Sequence, residues 1–261
     1  MKLVRFADAT GMVHHGVLSE DTIAPISGDL FGPRVRAGAG ISLKSVRLLS
    51  PIAPCNLLCL GKNYRAFPGE QNANFPAEPL LFLKLTTAVI GPEDAIVLPS
   101  VAPSEVYFEA ELAVVIGKSA HRVSAAAAMD HVLGFTICND LGARDCQAKD
   151  GQWARAKSFD TFAPIGPWIE TEFDPAHRRV ASRLNGKPIQ DASTDLMLFD
   201  VPFVISYFSS CMTLLPGTVI SMGSPGVLQE PRPFLRPGDM VEVEVDGLGV
   251  LCNPVGSPAG G

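Results

Sequence analysis

From Val106 to Gly117 the chain reads VYFEAELAVVIG, an apolar run broken twice, at Glu109 and Glu111. Residues two apart on an extended strand point to one face. Glu109 and Glu111 therefore project together, with Phe108 and Ala110 on the other side. Two neighbouring carboxylates on a mostly apolar strand repel each other and lose hydration, so both stay ionised only where a cation or a basic side chain compensates them. A fold that buries this strand must supply that compensation. A fold that leaves it at a sheet edge lets both acids face water, and the strand by itself permits either arrangement.

A third acid shifts the balance. Asp140 directly follows the apolar segment Gly134 to Cys138 and Asn139, at the end of an expected buried strand. Three carboxylates without a nearby histidine or cysteine suit a hard ion, Mg²⁺ or Mn²⁺, which prefers oxygen ligands and keeps water on its open positions. Zinc is disfavoured because the set offers no nitrogen or sulfur. Open positions of that kind accept the two oxygens of a 2-oxo acid or an enolised diketone, where the metal polarises a carbonyl and stabilises an enolate.

Several polar residues are candidates for the other side of such a pocket. Arg144 and Gln147 are three apart and share a helix face, where they can receive a substrate carboxylate or oxo oxygen. Lys157 sits in AKSFDTFAPIGPW, whose aromatics and prolines argue for partial desolvation. Beside three carboxylates it would keep its charge and stabilise an oxyanion or shuttle an α-proton. Lys84, in LFLKL, either points into a site, pairs with an acid or snorkels to solvent. Ser224 follows the strand-like VISM in a Gly/Pro turn that can contact a ligand or simply turn the chain.

Around these residues strand signals dominate, at 57–60, 80–83, 88–90, 95–98, 109–116, 135–138 and 219–222. A hairpin is expected where Val241, Val243 and Val245 alternate with glutamates and Asp246-Gly247 turns the chain into 248–253. Helices are expected at 124–132, capped by Ser124, and at about 143–149. Short apolar runs at 2–6, 12–18 and 22–26 suggest a small N-terminal sheet, followed by a loop or short helical connection over 28–40. The expected organisation is a small N-terminal domain over 1–50 and a metal-binding catalytic domain over 51–261, with the last residues, GSPAGG, frayed. A net charge of −6 without any basic run argues for a small-molecule ligand over nucleic acid or an anionic membrane. The absence of a long apolar segment, and six cysteines read as reduced structural thiols, give an expectation of a cytoplasmic protein.

The strings LGKNYRAF at Leu60, FLKLTTAVIGPEDAIVLP at Phe82, YFEAELAVVIGK at Tyr107 and GFTICNDLGARDCQ at Gly134 resemble the fumarylacetoacetate hydrolase family. So do AKSFDTFAPIGPW at Ala156, RLNGKPIQDASTDLM at Arg183, TLLPGTVISMGSPGV at Thr213 and RPGDMVEVEVDGLGVLCNPV at Arg236, so that the resemblance runs from Leu48 to Val255. It implies an α+β, β-rich chain: a mixed β-roll catalytic domain that holds Mg²⁺ or Mn²⁺, a small N-terminal β appendage, and a homodimer. It implies Glu109, Glu111 and Asp140 as metal ligands, Lys157 beside the metal, Arg144 and Gln147 as its polar neighbours, and Ser224 where many relatives have threonine. Tyr64 and Arg65 would belong to a substrate-facing entry loop.

Many hydrolytic relatives carry a histidine and, three residues on, a glutamate that orient water; here those positions hold Phe67 and Glu70. The expected catalytic groups are thus Lys157, Glu70 and Arg144, with Tyr64, Arg65, Phe67, Gln147, Lys84 and Ser224 around the substrate. Carbon–carbon bond hydrolysis or decarboxylation of a small oxo or diketo acid is the family expectation. Loss of the imidazole favours a tautomerase or isomerase as the alternative, and a non-catalytic binding protein is a third reading.

Overall fold

A computed structural model of the protein describes residues 1–65, 75–102 and 104–257; Phe67, Glu70 and the end of the C-terminal tail lie outside them. The apolar run with the two acids becomes, from Ala110 on, strand Ala110–Ile116, buried at every position. It is not an edge. It lies antiparallel between Val132–Asn139 and Val219–Ser221 in a large mixed sheet, and Val219–Ser221 continues in parallel to Leu57–Gly61 and from there to Leu80–Lys84. Covered on both faces, the strand is β-branched and apolar where it packs, and its one acid, Glu111, stands near its start.

The opposite flank of Val132–Asn139 pairs with Ala163–Glu170, which in turn pairs with Lys2–Ala7. The strands Val13–Ser19, Thr22–Gly28 and Arg34–Arg36 extend the same sheet outward. The N-terminal strands thus form a small core of their own, with Val4, Phe6, Leu18 and Ile23 buried, while staying hydrogen-bonded to the main sheet through Lys2 and Leu3. A second sheet, ordered Ile96–Val97, Gly249–Gly256, Met240–Val245, Arg179–Leu184 and Lys187–Ser193, packs on Ala110–Ile116. The two sheets share one apolar core, and the chain is β-rich with few helices, as expected. Among the described residues no helix is long and apolar enough to cross a membrane.

Three local expectations need correction. The segment 124–132 forms a 3₁₀ helix, Ala125–His131, and the Ser124 side chain makes no cap hydrogen bond. Its two ends are held by separate elements, since Gly117 N donates to His131 O at 2.7 Å and Val123 N donates to Ser209 Oγ at 3.0 Å, and short connections of this kind commonly take the tighter 3₁₀ form. The stretch 28–40 contains strand Arg34–Arg36 in place of a loop or helical connection, added to the edge of Thr22–Gly28. The longest helix, Val201–Cys211, lies outside the expected set. Asp200 caps it by accepting from Phe203 N at 2.9 Å, and Val201, Val204, Ile205 and Phe208 bury one face at helical spacing.

Candidate metal centre

Glu109 immediately precedes strand Ala110–Ile116 and Asp140 immediately follows strand Val132–Asn139. Ala110 pairs with Asn139 and Glu111 with Cys138, so the antiparallel register brings both acids to one end of the ladder, where Asp140 N donates to Glu109 O at 2.9 Å. One oxygen each of Glu109, Glu111 and Asp140 lies within 4.8 Å of the other two. The grouping follows from the two-residue strand period and the register, with no long side chain needed to reach across.

Basic groups answer these acids. Lys157, at the end of helix Ala154–Lys157, donates to Glu109 Oε2 at 2.8 Å and to Asp140 Oδ2 at 2.5 Å. Lys84 donates to Asp140 Oδ1 at 2.6 Å and to Leu141 O at 2.9 Å. Arg232 reaches Glu109 Oε1 at 2.9 Å, where Ser224 Oγ also donates at 3.1 Å. Glu111 has no cationic partner within ion-pair distance among the described residues; Ser221 Oγ at 2.5 Å and Gly223 N at 3.0 Å both bond its Oε2. Gly223 can present that amide because its backbone is left-handed, at φ 85°, and a Cβ there would meet Asn63 Cβ at 2.8 Å.

Electrostatics separate the acids sharply. Burial, then the charges of Asp140 and Glu109, push the Glu111 carboxyl well above its ordinary range. Burial also acts upward on Glu109, but Lys157 and Arg232 outweigh it and hold that carboxyl at about 2. For Lys157, burial opposes the charge, yet Asp140 and Glu109 prevail and keep the ammonium well above the usual lysine range. Tyr107, whose ring lies 4.8 Å from Lys157 Nζ, is pushed up to about 12, first by burial.

An all-oxygen set with one buried carboxyl left short of a counter-charge fits a hard divalent cation, and Glu111 is the residue that most needs one. A proton should therefore leave Glu111 when a cation binds. Mn²⁺ affinity is expected to fall as pH drops from neutral toward 4.5, the ordinary value of this carboxyl. Stability without the cation moves in the opposite direction. A carboxyl raised by the fold destabilises it as pH climbs from the unfolded value through the folded one, so cation-free protein should melt lower as pH rises from 4.5, with Mn²⁺ restoring more at each step. Glu109 contributes oppositely, with stability present above 4.5 and lost only as pH falls toward 2. Melting curves in EDTA and in Mn²⁺ across about pH 5 to 8 check this; an Mn²⁺ gain independent of pH would exclude a protonated Glu111.

The acids open onto a cavity of about 300 Å³ that Arg144, Gln147, Lys157 and Ser224 also line. Gln147 Oε1 accepts from Tyr107 Oη at 3.0 Å, and Arg144 lies over the Tyr107 and Phe234 rings without an acidic partner among the described residues. Three expected substrate contacts are placed elsewhere. Lys84, with a fully buried side chain, stands behind Asp140 and orients it, because both its hydrogen bonds go to Asp140 and Leu141. Tyr64 bridges to Met197 and Arg65 N donates to Leu196 O, and neither lines the cavity. Tyr64 Oη is nevertheless buried without a hydrogen-bond partner, and its hydroxyl is raised by burial and by the Glu111 charge. Phe67 and Glu70 fall outside the described residues.

Sequence reasoning missed Tyr107, Ser221, Gln190 and Arg232. Tyr107 had a signal, since 107, 109 and 111 share the strand period. Gln190 is fully buried and bonds Ala110 N at 2.9 Å, Pro225 O at 2.7 Å and Ser182 Oγ at 2.8 Å, tying the acid strand, 80 residues before it, to the Ser224 turn, 35 residues after it. No local pattern announces such a tie.

Residues 56–256 match the model of the fumarylacetoacetate (FAA) hydrolase C-terminal domain, and residues 1–51 match the Rv2993c-like N-terminal model. Protein Rv2993c of Mycobacterium tuberculosis is 44% identical over 97% of this chain and 94% of its own length. The mitochondrial oxaloacetate tautomerase fahd2 of Xenopus laevis is 41% identical over 82% of this chain and 70% of its own. Among solved structures, 5-carboxymethyl-2-hydroxymuconate delta-isomerase from Mycobacterium smegmatis superposes with a TM-score of 0.90 at 41% identity, covering 98% of this chain and 100% of that one. Maleylpyruvate hydrolase from Sphingobium sp. SYK-6, in complex with manganese(II) and pyruvate, gives 0.81 at 30% identity, covering 99% and 100%.

Proposed function

The chain belongs to the fumarylacetoacetate hydrolase family, and from that premise we propose that it is a divalent-metal-dependent enzyme that tautomerises or isomerises a small 2-oxo acid. The observation that carries this reading is the Lys157 ammonium, buried between Glu109 and Asp140 at the cavity and held protonated there. Tautomerisation moves one proton between the enol oxygen and the alkene carbon next to the carbon that bears it, and loses no atom, so one well-placed proton carrier is sufficient.

Glu109, Glu111 and Asp140 are the residues that would hold Mg²⁺ or Mn²⁺, and such an ion supplies Lewis-acid polarisation of an oxo group. Arg144 and Gln147 orient a substrate carboxylate from the cavity wall. Lys157 gives its proton to the carbon of the enol and recovers one from the hydroxyl. Its readiness to do so depends on its neighbours: Asp140 and Glu109 hold the proton on, and whatever neutralises them eases its release. Lys84 keeps Asp140 in place, and Tyr107 covers the ammonium with its ring. Support also comes from relatives whose names record isomerase and oxaloacetate tautomerase activities at 41% identity.

Carbon–carbon bond cleavage is the second reading, favoured by the likeness to maleylpyruvate hydrolase. It needs an activated water, and no histidine lines the cavity among the described residues. One assay separates the two. The Mg²⁺-loaded protein is incubated with oxaloacetate, acetylpyruvate and fumarylpyruvate while enol absorbance and released pyruvate or carbon dioxide are followed. Decay of the enol band with no released product is expected. Release in step with that decay would replace tautomerisation by cleavage, and silence on all three despite bound metal would point to a binding protein or to a substrate of another kind.

A further inference from the structure

Three cationic side chains, Lys84, Lys157 and Arg232, face the carboxylates at the centre, and all of their ion pairs fall on Asp140 and Glu109. A divalent cation that joins this cluster adds two positive charges. A resident cation that holds the same carboxylate oxygens is then in competition with it. The three are not equally free to move. The side chains of Lys84 and Lys157 are 0% and 3% exposed, whereas that of Arg232 is 12% exposed and comes from the connection between two sheets.

The geometry of Arg232 suits it to two partners. Both of its side-chain hydrogen bonds, to Glu109 Oε1 and Phe108 O, use Nη1, so Nε and Nη2 make none among the described residues. The guanidinium lies 5.1 Å from the Tyr107 ring centroid and lines the same cavity as Arg144. Its segment is pinned at both ends, by Leu228 N to Ile189 O and by Leu235 N to Val106 O, each at 2.8 Å, with Pro231 and Pro233 flanking it. The backbone is thus pinned while two of the guanidinium nitrogens keep unused donors, and a planar fork with unused donors is matched to a carboxylate.

Resting on the metal-dependent reading of the site, we propose that Arg232 is an exchangeable counter-ion. It holds Glu109 while no cation is bound, and turns to the second carboxylate of a dicarboxylic 2-oxo acid once a cation takes Glu109. Arg144 remains for the first carboxylate. Cation and dicarboxylate then strengthen each other's binding, because each removes a partner the other needs gone.

Calorimetric titration of EDTA-stripped protein with Mn²⁺, for wild type, Arg232→Gln and Arg232→Lys, tests the first half. Arg232→Gln should bind Mn²⁺ on the order of tenfold more tightly, since it loses a competing charge, while Arg232→Lys stays near wild type. The second half uses the Mn²⁺-loaded proteins with 2-oxoglutarate and 2-oxopentanoate, which differ only in the terminal carboxylate. Wild type should prefer 2-oxoglutarate, and Arg232→Gln should lose about tenfold of that preference without losing affinity for 2-oxopentanoate. A buttressing role alone would weaken Mn²⁺ and both acids together, and that result, or an unchanged preference, would overturn the exchange while the metal site stands. Wild-type protein that takes up neither Mn²⁺ nor Mg²⁺ would end the metal reading and the exchange with it.

Discussion

Asp140→Asn is expected to yield a protein that no longer takes up Mn²⁺ or Mg²⁺ and that is less stable than wild type even in EDTA. Asp140 accepts from Lys84 with one oxygen and from Lys157 with the other, and all three side chains are at most 3% exposed. The amide removes the shared counter-charge of two buried ammonium groups and can accept from only one of them well. Breaking a buried ion pair in this way costs about 3 to 5 kcal/mol. For a chain of this length that lowers the melting temperature by on the order of 10 °C. Turnover should fall by roughly a thousandfold or more, because a polarising ion and an oriented lysine are lost together. Denaturant melts with and without Mn²⁺ separate the effects: wild type gains stability from the ion and the variant gains none. An Asp140→Asn protein that melts with wild type in EDTA would mean that the lysines find water once their partner goes, and that the cluster is less closed than its exposure implies.

How far the sequence reveals this arrangement follows from the range of each interaction. The acid strand was legible because an apolar run with acids two apart states its own period and its own problem, and Asp140 was legible as an acid at the end of a second apolar run. The closing hairpin was legible from alternation and an Asp-Gly turn, and Val245 indeed pairs with Gly249. Helix Val201–Cys211 was equally legible, from Asp200 as cap, a proline in the first turn where a helix tolerates it, and apolar residues at 201, 204, 205 and 208. Strand Ala163–Glu170 was not legible. It carries Pro164 and Pro167 in a sheet, and Pro167 falls where the register against Phe135 and Ile137 is irregular, while Pro164 lies opposite Ile90 of the short strand Val89–Ile90. The counter-ions were the hardest to read. Lys84 was seen as pointing to a site or an acid, yet that it stands behind Asp140, and that Arg232 covers Glu109 from 123 residues away, depends on how two sheets pack.

Lys157→Met should separate what the lysine does for chemistry from what it does for the fold. The proton carrier is removed, so turnover on any enolisable oxo acid should drop by about a hundredfold to ten-thousandfold. Affinity for Mn²⁺ should move the other way and increase, because an ammonium no longer competes for Glu109 Oε2 and Asp140 Oδ2. Stability without the ion should fall, since Asp140 keeps only Lys84 and Glu109 keeps only Arg232 as a cationic partner. The folded state raises the Lys157 value, so its contribution is fully present below the ordinary lysine value of 10.5 and is lost only as pH climbs through the raised one; the deficit of the variant should be constant across the neutral range. Methionine fills a similar volume, which keeps the comparison electrostatic. Because Lys157 and Asp140 share one network, the double variant Lys157→Met with Asp140→Asn should be less damaged than the two single losses added together, the excess measuring their coupling. Turnover within about fivefold of wild type, in a Lys157→Met protein that still binds Mn²⁺, would fall short of the loss expected of a proton carrier and move that role to another group around the cavity.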